Sequence, residues 1–109
     1  MRDETSRAPE RFSSEINAFI AYLQLERGLS VNTWQAYQRD IDQCADFLAR
    51  RAPTSDWTSV QAADLTAWLH HLSAGVLKSS SLARKLTAVR VFFRYLVREQ
   101  RRADDPTSV

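Results

Sequence analysis

Glycine and proline are scarce in this 109-residue chain, with two and three residues respectively. So little punctuation excludes an all-β sandwich or barrel, which needs many tight turns. Cysteine occurs once, at Cys44, so no internal disulfide can form. No apolar run approaches the ~18 residues of a membrane span, and no charged-then-apolar leader opens the sequence. A soluble, cytoplasmic protein with no membrane partner is therefore expected. Gly-rich phosphate loops, Cys/His metal spacings and nucleophile motifs are also missing. His70 and His71 are neighbours, and on a helix they would diverge by about 100°, which is poor geometry for serving one site. No cofactor, no metal and no catalytic residue are expected in this chain.

What is present is helical material. Hydrophobic residues make up 44% and charged residues 26% of a chain the size of one domain with a single core. Ala, Leu, Arg, Gln and Glu abound, and they favour helix. Charge is distributed unevenly. Residues 1–77 carry seven bases against ten acids, residues 78–102 eight against one, and residues 103–109 only two acids. A net charge of +2 thus conceals a weakly acidic body and one strongly basic element, a pattern suited to a localised contact with a polyanion.

Periodicity places four helices. Residues 1–11 mix charges without apolar period and read as a loose arm. From Ser13 as cap, Phe12, Ile16, Phe19, Ile20 and Leu23 recur at helical spacing, giving a first helix over about 13–26 before Gly28. Ser30 caps a second helix with a Trp34, Tyr37, Ile41, Cys44, Ala45 and Leu48 stripe, ending near Arg51. Trp57 and Val60 in the polar connection are expected to fold back on the core. Leu65, Trp68, Leu69 and Leu72 mark a third helix up to Gly75. Ser79, Ser80 and Ser81 offer caps for the fourth, whose Leu82, Leu86, Val89, Phe93 and Leu96 form its core stripe. "DDP" at 104–106 then stops it, since the residue before proline avoids helix. The fold expected is an all-α bundle of four helices.

Two surfaces of this bundle carry chemistry. On the fourth helix, Arg84, Arg90, Arg94, Arg98 and Arg101 fall on the side away from the stripe, with Lys85 at the stripe's other edge. Charges on a helix face are commonly just solvated, but a soluble helix usually interleaves both signs. This one has Glu99 alone, so phosphate or an acidic protein is the expected counterweight. On the second helix, Asn32, Gln35, Ala36 and Arg39 share the face opposite the core. Asn and Gln can pair bidentately with base edges, and Arg can take a base or a phosphate. Asp42 and Asp46 further along would repel phosphate, which confines any contact to the first two turns. In a bundle of alternating direction the second and fourth helices begin at one end, bringing Ser30 and Thr33 near Ser79–Ser81 and their free backbone N–H groups. Val91 and Tyr95 are expected to project from the far side of the fourth helix.

Three ordered phrases, "ERGLSVNTWQAYQRDI" at 26–41, "V...DL..WL..L" from Val60 to Leu72 and "SSSLARKLTAVRVFFRYL" at 79–96, resemble the N-terminal core-binding domain of tyrosine recombinases, in particular Xer-type recombinases and phage integrases. The resemblance implies a SAM-like four-helix bundle forming half of a clamp around DNA, with its second and fourth helices at the major groove. Carried over position by position, it makes Asn32, Thr33, Gln35 and Arg39 candidates on the second helix. On the fourth, Ser80, Ser81, Arg84 and Lys85 are candidates, with Arg90 as a phosphate neighbour, and the arginine band adds Arg94 to the DNA-binding candidates. Gln38 and Ser81 depart from the pattern, where a base and a threonine are common. "DDP" resembles the "NP" that closes such domains.

The domain is therefore expected over 12–103, with 104–109 starting a linker to an absent catalytic domain that would supply the tyrosine nucleophile and its arginine, lysine and histidine partners. Expected partners are duplex DNA and other recombinase protomers on it, the isolated domain being monomeric. Two rivals remain open. One is a stand-alone helical adaptor that binds an acidic protein through the Arg-rich helix. The other is a helix-turn-helix repressor, which would bind as a symmetric dimer.

Overall fold

The computed structural model describes residues 8–75 and 77–108. It is all-helical, in the order α1 (Glu10–Leu25), α2 (Val31–Arg51), α3 (Ala62–Ser73) and α4 (Ser79–Arg98). Residues 1–7 of the expected arm, and Val109, lie outside the described residues. Among the described residues no helix is long and apolar enough to cross a membrane.

The helix starts follow local chemistry, not always as the sequence suggests. α1 begins three residues before Ser13, after Pro9, whose fixed φ of −55° suits a helix entrance. Ala8 and Phe12 are both buried and draw this turn onto the core, so residues 8–11 belong to the fold rather than to an arm. Ser13 donates its hydroxyl to the Glu10 carbonyl at 2.9 Å instead of capping. α2 starts as expected: the Ser30 hydroxyl accepts from the Thr33 amide at 3.3 Å. α3 is entered through a reciprocal box between Gln61 and Asp64. α4 differs again. Its cap position is Lys78, without a side-chain bond, so Ser79–Ser81 are its first helical residues and not its caps.

Left-handed residues close α1 and α4. Gly28, at φ 61°, closes α1. α4 ends at Gln100, at φ 58°, where the Gln100 amide bonds Val97 O at 3.0 Å and the Arg101 amide bonds Leu96 O at 2.8 Å. This is a Schellman motif, so the turn stops the helix well before Pro106. The segment beyond stays on the bundle. Arg102 is held by the Trp57 carbonyl at 2.9 Å and lies over the Phe93 ring, and Pro106 is buried. Pro106 and Thr107 thus still pack on the domain, beside α3 and α4.

The core is aromatic and centred on Trp57. Its indole N–H donates to the Phe12 carbonyl at 2.8 Å, and its rings contact Phe12, Phe92 and Phe93 edge-on. Trp57 and Val60 do fold back on the core. On α4 the buried face is wider than Val89, Phe93 and Leu96 and is rotated by about 60° from the expected centre. Lys85, Ala88, Phe92 and Tyr95 are buried, whereas Leu82 and Leu86 are half-exposed. Tyr95 therefore points inward, against Phe19 and Tyr22 of α1, not outward.

The direction of α4 explains the rotation. Phe19 meets Phe92 and Tyr95, and Tyr22 meets Tyr95 and Arg98, so contacts advance in the same sense along α1 and α4. A strictly alternating bundle would run α4 back against α1. The alternation from which Ser30 and Thr33 were expected beside Ser79–Ser81 therefore does not hold, and α4 packs against both α1 and α2.

Candidate nucleic-acid interface

One joint between α2 and α4 is polar and buried. Asp40, near the middle of α2, is 0% exposed, and its carboxylate accepts three charged hydrogen bonds. Arg84 donates Nε–H to Oδ2 and Nη2–H to Oδ1, both at 2.9 Å. Lys85 donates Nζ–H to Oδ1 at 2.9 Å and also bonds Gln43 Oε1. The Asp40 bond raises the pKa of Arg84 further above its ordinary value, against the opposing effect of burial. One carboxylate with two cations leaves a single net positive charge. That charge belongs to the three residues together, and Arg84, with 42% of its side chain exposed against 5% for Lys85, is the member that reaches solvent.

Around this joint the sequence-derived candidates divide. Asn32, Thr33, Gln35 and Arg39 are all exposed on the early turns of α2, with Ala36 half-buried among them. From Asn32 to Arg39 the helix rises about 10 Å. Thr33 shares a 2.9 Å hydroxyl contact with Ser30 and so belongs to the cap as well as to the surface. On α4, Ser80 is exposed and Ser81 half-buried in the first turn, and the amides there have no side-chain cap. Such N–H groups at a positive dipole end suit an anion. Lys85 is the candidate that the structure removes from the surface: its ammonium is committed to Asp40 and Gln43.

The arginine band is also less uniform than its spacing suggests. Arg84 turns to α2. Arg90 is exposed beside an apolar cavity of about 260 Å³ between α3 and α4, lined by Leu65, Leu69, Leu86, Val89 and Pro106. Arg94 and Arg98 line a groove of about 480 Å³ with Tyr22, Arg27, Val91 and Tyr95. Arg98 lies over the Tyr22 ring at 4.5 Å, donates to its hydroxyl at 3.2 Å and pairs with Glu99. Partnering carboxylates thus exist for two members of the band, Asp40 being the one that sequence reasoning missed. It carried a legible signal: Tyr37, Asp40, Ile41 and Cys44 follow core spacing, so an acid stood where an apolar residue was due.

The nucleophilic and titratable side chains near these surfaces are engaged in packing. Cys44 is fully buried, and burial pushes its thiol pKa up, away from the thiolate needed for nucleophilic or ligand chemistry. Burial likewise raises the pKa of the Tyr95 phenol. His71 packs beside the Phe47 ring at 5.1 Å. Among the described residues no three His, Cys, Asp or Glu side chains are grouped to hold a metal ion. What the arrangement offers chemically is recognition: amides and hydroxyls at two helix starts, exposed Asn and Gln, and arginines anchored at different depths.

Comparison with known proteins points the same way. Residues 16–100 match the family described as phage integrase, N-terminal SAM-like domain. The chain is 39% identical over 94 residues to the tyrosine recombinase XerD of Rhizobium meliloti (strain 1021), covering 86% of this chain and 30% of that protein. It is 36% identical over 99 residues to XerD of Agrobacterium fabrum, covering 91% of this chain and 29% of the relative. With the tyrosine recombinase XerC of Herpetosiphon aurantiacus it shares 38% over 93 residues, 85% and 30% of the two chains. The chain therefore spans about 30% of the length of these curated relatives.

Proposed function

Because this chain belongs to the phage integrase N-terminal SAM-like domain family, we propose that it is the DNA-gripping domain of a site-specific tyrosine recombinase, binding a recombination half-site through α2 and α4. Strand cleavage and exchange fall, on this reading, to parts of a longer protein corresponding to the length of the relatives that this chain does not cover. Its partners are duplex DNA and further protomers bound to the same DNA.

The observation that carries the reading is the Asp40 joint, which ties the early turns of α4 to α2 and leaves a net positive cluster whose exposed member is Arg84. Asn32, Gln35 and Arg39 are then the candidates for base edges or adjacent phosphates. Thr33, Ser80, Ser81, Arg84, Arg90 and Arg94 are the candidates for backbone contacts, which set register without identifying bases. Lys85 acts from within the fold, by holding Asp40.

The test is fluorescence anisotropy of labelled duplex DNA titrated with the domain at several salt concentrations. Contacts to Z phosphates give a slope of log K against log salt near −0.9Z, about −3 to −5 for the arginines and helix starts named. A flat response with negligible duplex affinity, alongside binding to an acidic protein, would favour the adaptor reading instead.

A further inference from the structure

The geometry points to Asp40 as the positioning residue of this interface: it holds Arg84 by one edge of the guanidinium so that the other edge is presented to a phosphate. The inference rests on duplex binding by α2 and α4 and goes beyond it by assigning a role to a residue that cannot itself touch DNA.

A guanidinium has five N–H donors arranged around a planar fork. Asp40 takes Nε–H and one Nη2–H, leaving the second Nη2–H and both Nη1–H groups. The remaining donors lie on the edges turned away from the carboxylate, and the side chain is 42% exposed. Bidentate pairing with a carboxylate through one edge is thus compatible with a phosphate on another. A free arginine on a helix surface must give up rotamer freedom when it binds. Arg84 has already done so.

Lys85 supplies the second half of the device. A carboxylate paired with Arg84 alone would cancel the charge that a phosphate is to meet. Lys85 donates to the same Oδ1 from the buried side, so the three residues together keep a net positive charge, and Arg84 is their exposed end. The same residues explain why two adjacent bases on one helix have opposite exposures: one faces the carboxylate from inside, the other from outside.

Removing Asp40 alone strands a buried ammonium and endangers the fold, so the test uses Asp40→Asn combined with Lys85→Met, which empties the joint of its buried charges. The double variant, shown folded by its thermal melt and amide spectrum, is expected to bind duplex DNA about 3- to 10-fold more weakly than the wild type. Placed on an Arg84→Ala background, the same two changes should add less than about twofold, because their effect passes through Arg84. A folded double variant with wild-type affinity would overturn the inference, and so would an equal loss with Arg84 absent. Failure of the wild-type domain to bind any duplex would instead overturn the interface reading itself. A measurement on the unmutated domain stands beside these. 15N relaxation of arginine Nε is expected to find Arg84 rigid and Arg94 mobile before DNA is added, and equal mobility of the two would contradict a pre-positioned Arg84.

Discussion

Arg84 and Asp40 meet edge to edge across the α2–α4 joint, with both of their hydrogen bonds at 2.9 Å and the carboxylate fully enclosed. The pair sits where a purely apolar contact would have packed two helices equally well. A buried ion pair is weak evidence for stability, because desolvation offsets much of the attraction. Its value here is directional: it fixes how α4 meets α2 and where one cation emerges.

The asymmetry of that joint sets the first prediction. Asp40→Ala leaves Lys85 buried without its carboxylate and should cost about 3–5 kcal/mol. Arg84→Ala leaves Asp40 still paired with Lys85 and should cost clearly less. Urea unfolding of the two variants, compared at equal slope, checks the order; a larger loss for Arg84→Ala would contradict it.

Trp57 provides a second. Its ring contacts Phe12, Phe92 and Phe93, and its N–H satisfies a buried carbonyl, so it joins α1 to α4 from the connection between α2 and α3. Trp57→Ala should destabilise the fold by about 3–5 kcal/mol. Trp57→Phe, which keeps much of the packing but abandons the Phe12 carbonyl, should lose about 1–3 kcal/mol. Calorimetric melting of both would show whether the connection is part of the core.

Helix termination gives a third. Gln100 occupies the left-handed position of the Schellman turn, where a Cβ is unfavourable by roughly 1–2 kcal/mol. Gln100→Gly should therefore raise stability by about 0.5–1 kcal/mol after allowance for the freer unfolded chain. A lower melting temperature for this variant would show that the α4 end is not set by that residue.

Acid sensitivity gives a fourth. The Arg51 hydrogen bond, then the Gln61 amide, holds the Asp64 carboxyl below the usual carboxylate range. A depressed folded pKa contributes stability that is present above the unfolded value and lost as pH falls through the folded one. Stability should thus decline below about pH 4, and Asp64→Asn should reduce that decline. The carboxylate is partly solvated, so the effect is modest. Equal acid profiles for the two proteins would argue against the α3 box as a contributor.

How much of this was legible beforehand depends on the interaction. Helix number, the Ser30 cap, the Gly28 stop and the inward folding of Trp57 follow from short-range spacing and turn chemistry. The path of α4 does not. Leu82 and Leu86 look more like core than Lys85 or Tyr95, and only the tertiary neighbours α1 and α2 on one side decide that the latter are buried. The start of α1 likewise joins the fold through partners far along the chain, Arg11 bonding the Ser55 carbonyl and Phe12 accepting from Trp57. Of the candidate surface, the α2 residues are exposed as their spacing implied. Lys85 is not, because its partner Asp40 lies 45 positions earlier and pairs across helices. Read alone, the arginine band looked partnerless for the same reason.

Amide chemical-shift mapping of the domain titrated with duplex DNA at low salt would locate the proposed DNA-facing surface on the early turns of α2 and the exposed side of α4. Perturbations are expected to cluster at residues 30–39 and 79–94, together with the Asp40–Arg84 joint, and to fade as salt is added. Shifts confined instead to the groove of Tyr22, Arg27 and Arg98, or absent at the highest usable DNA concentration, would contradict that surface.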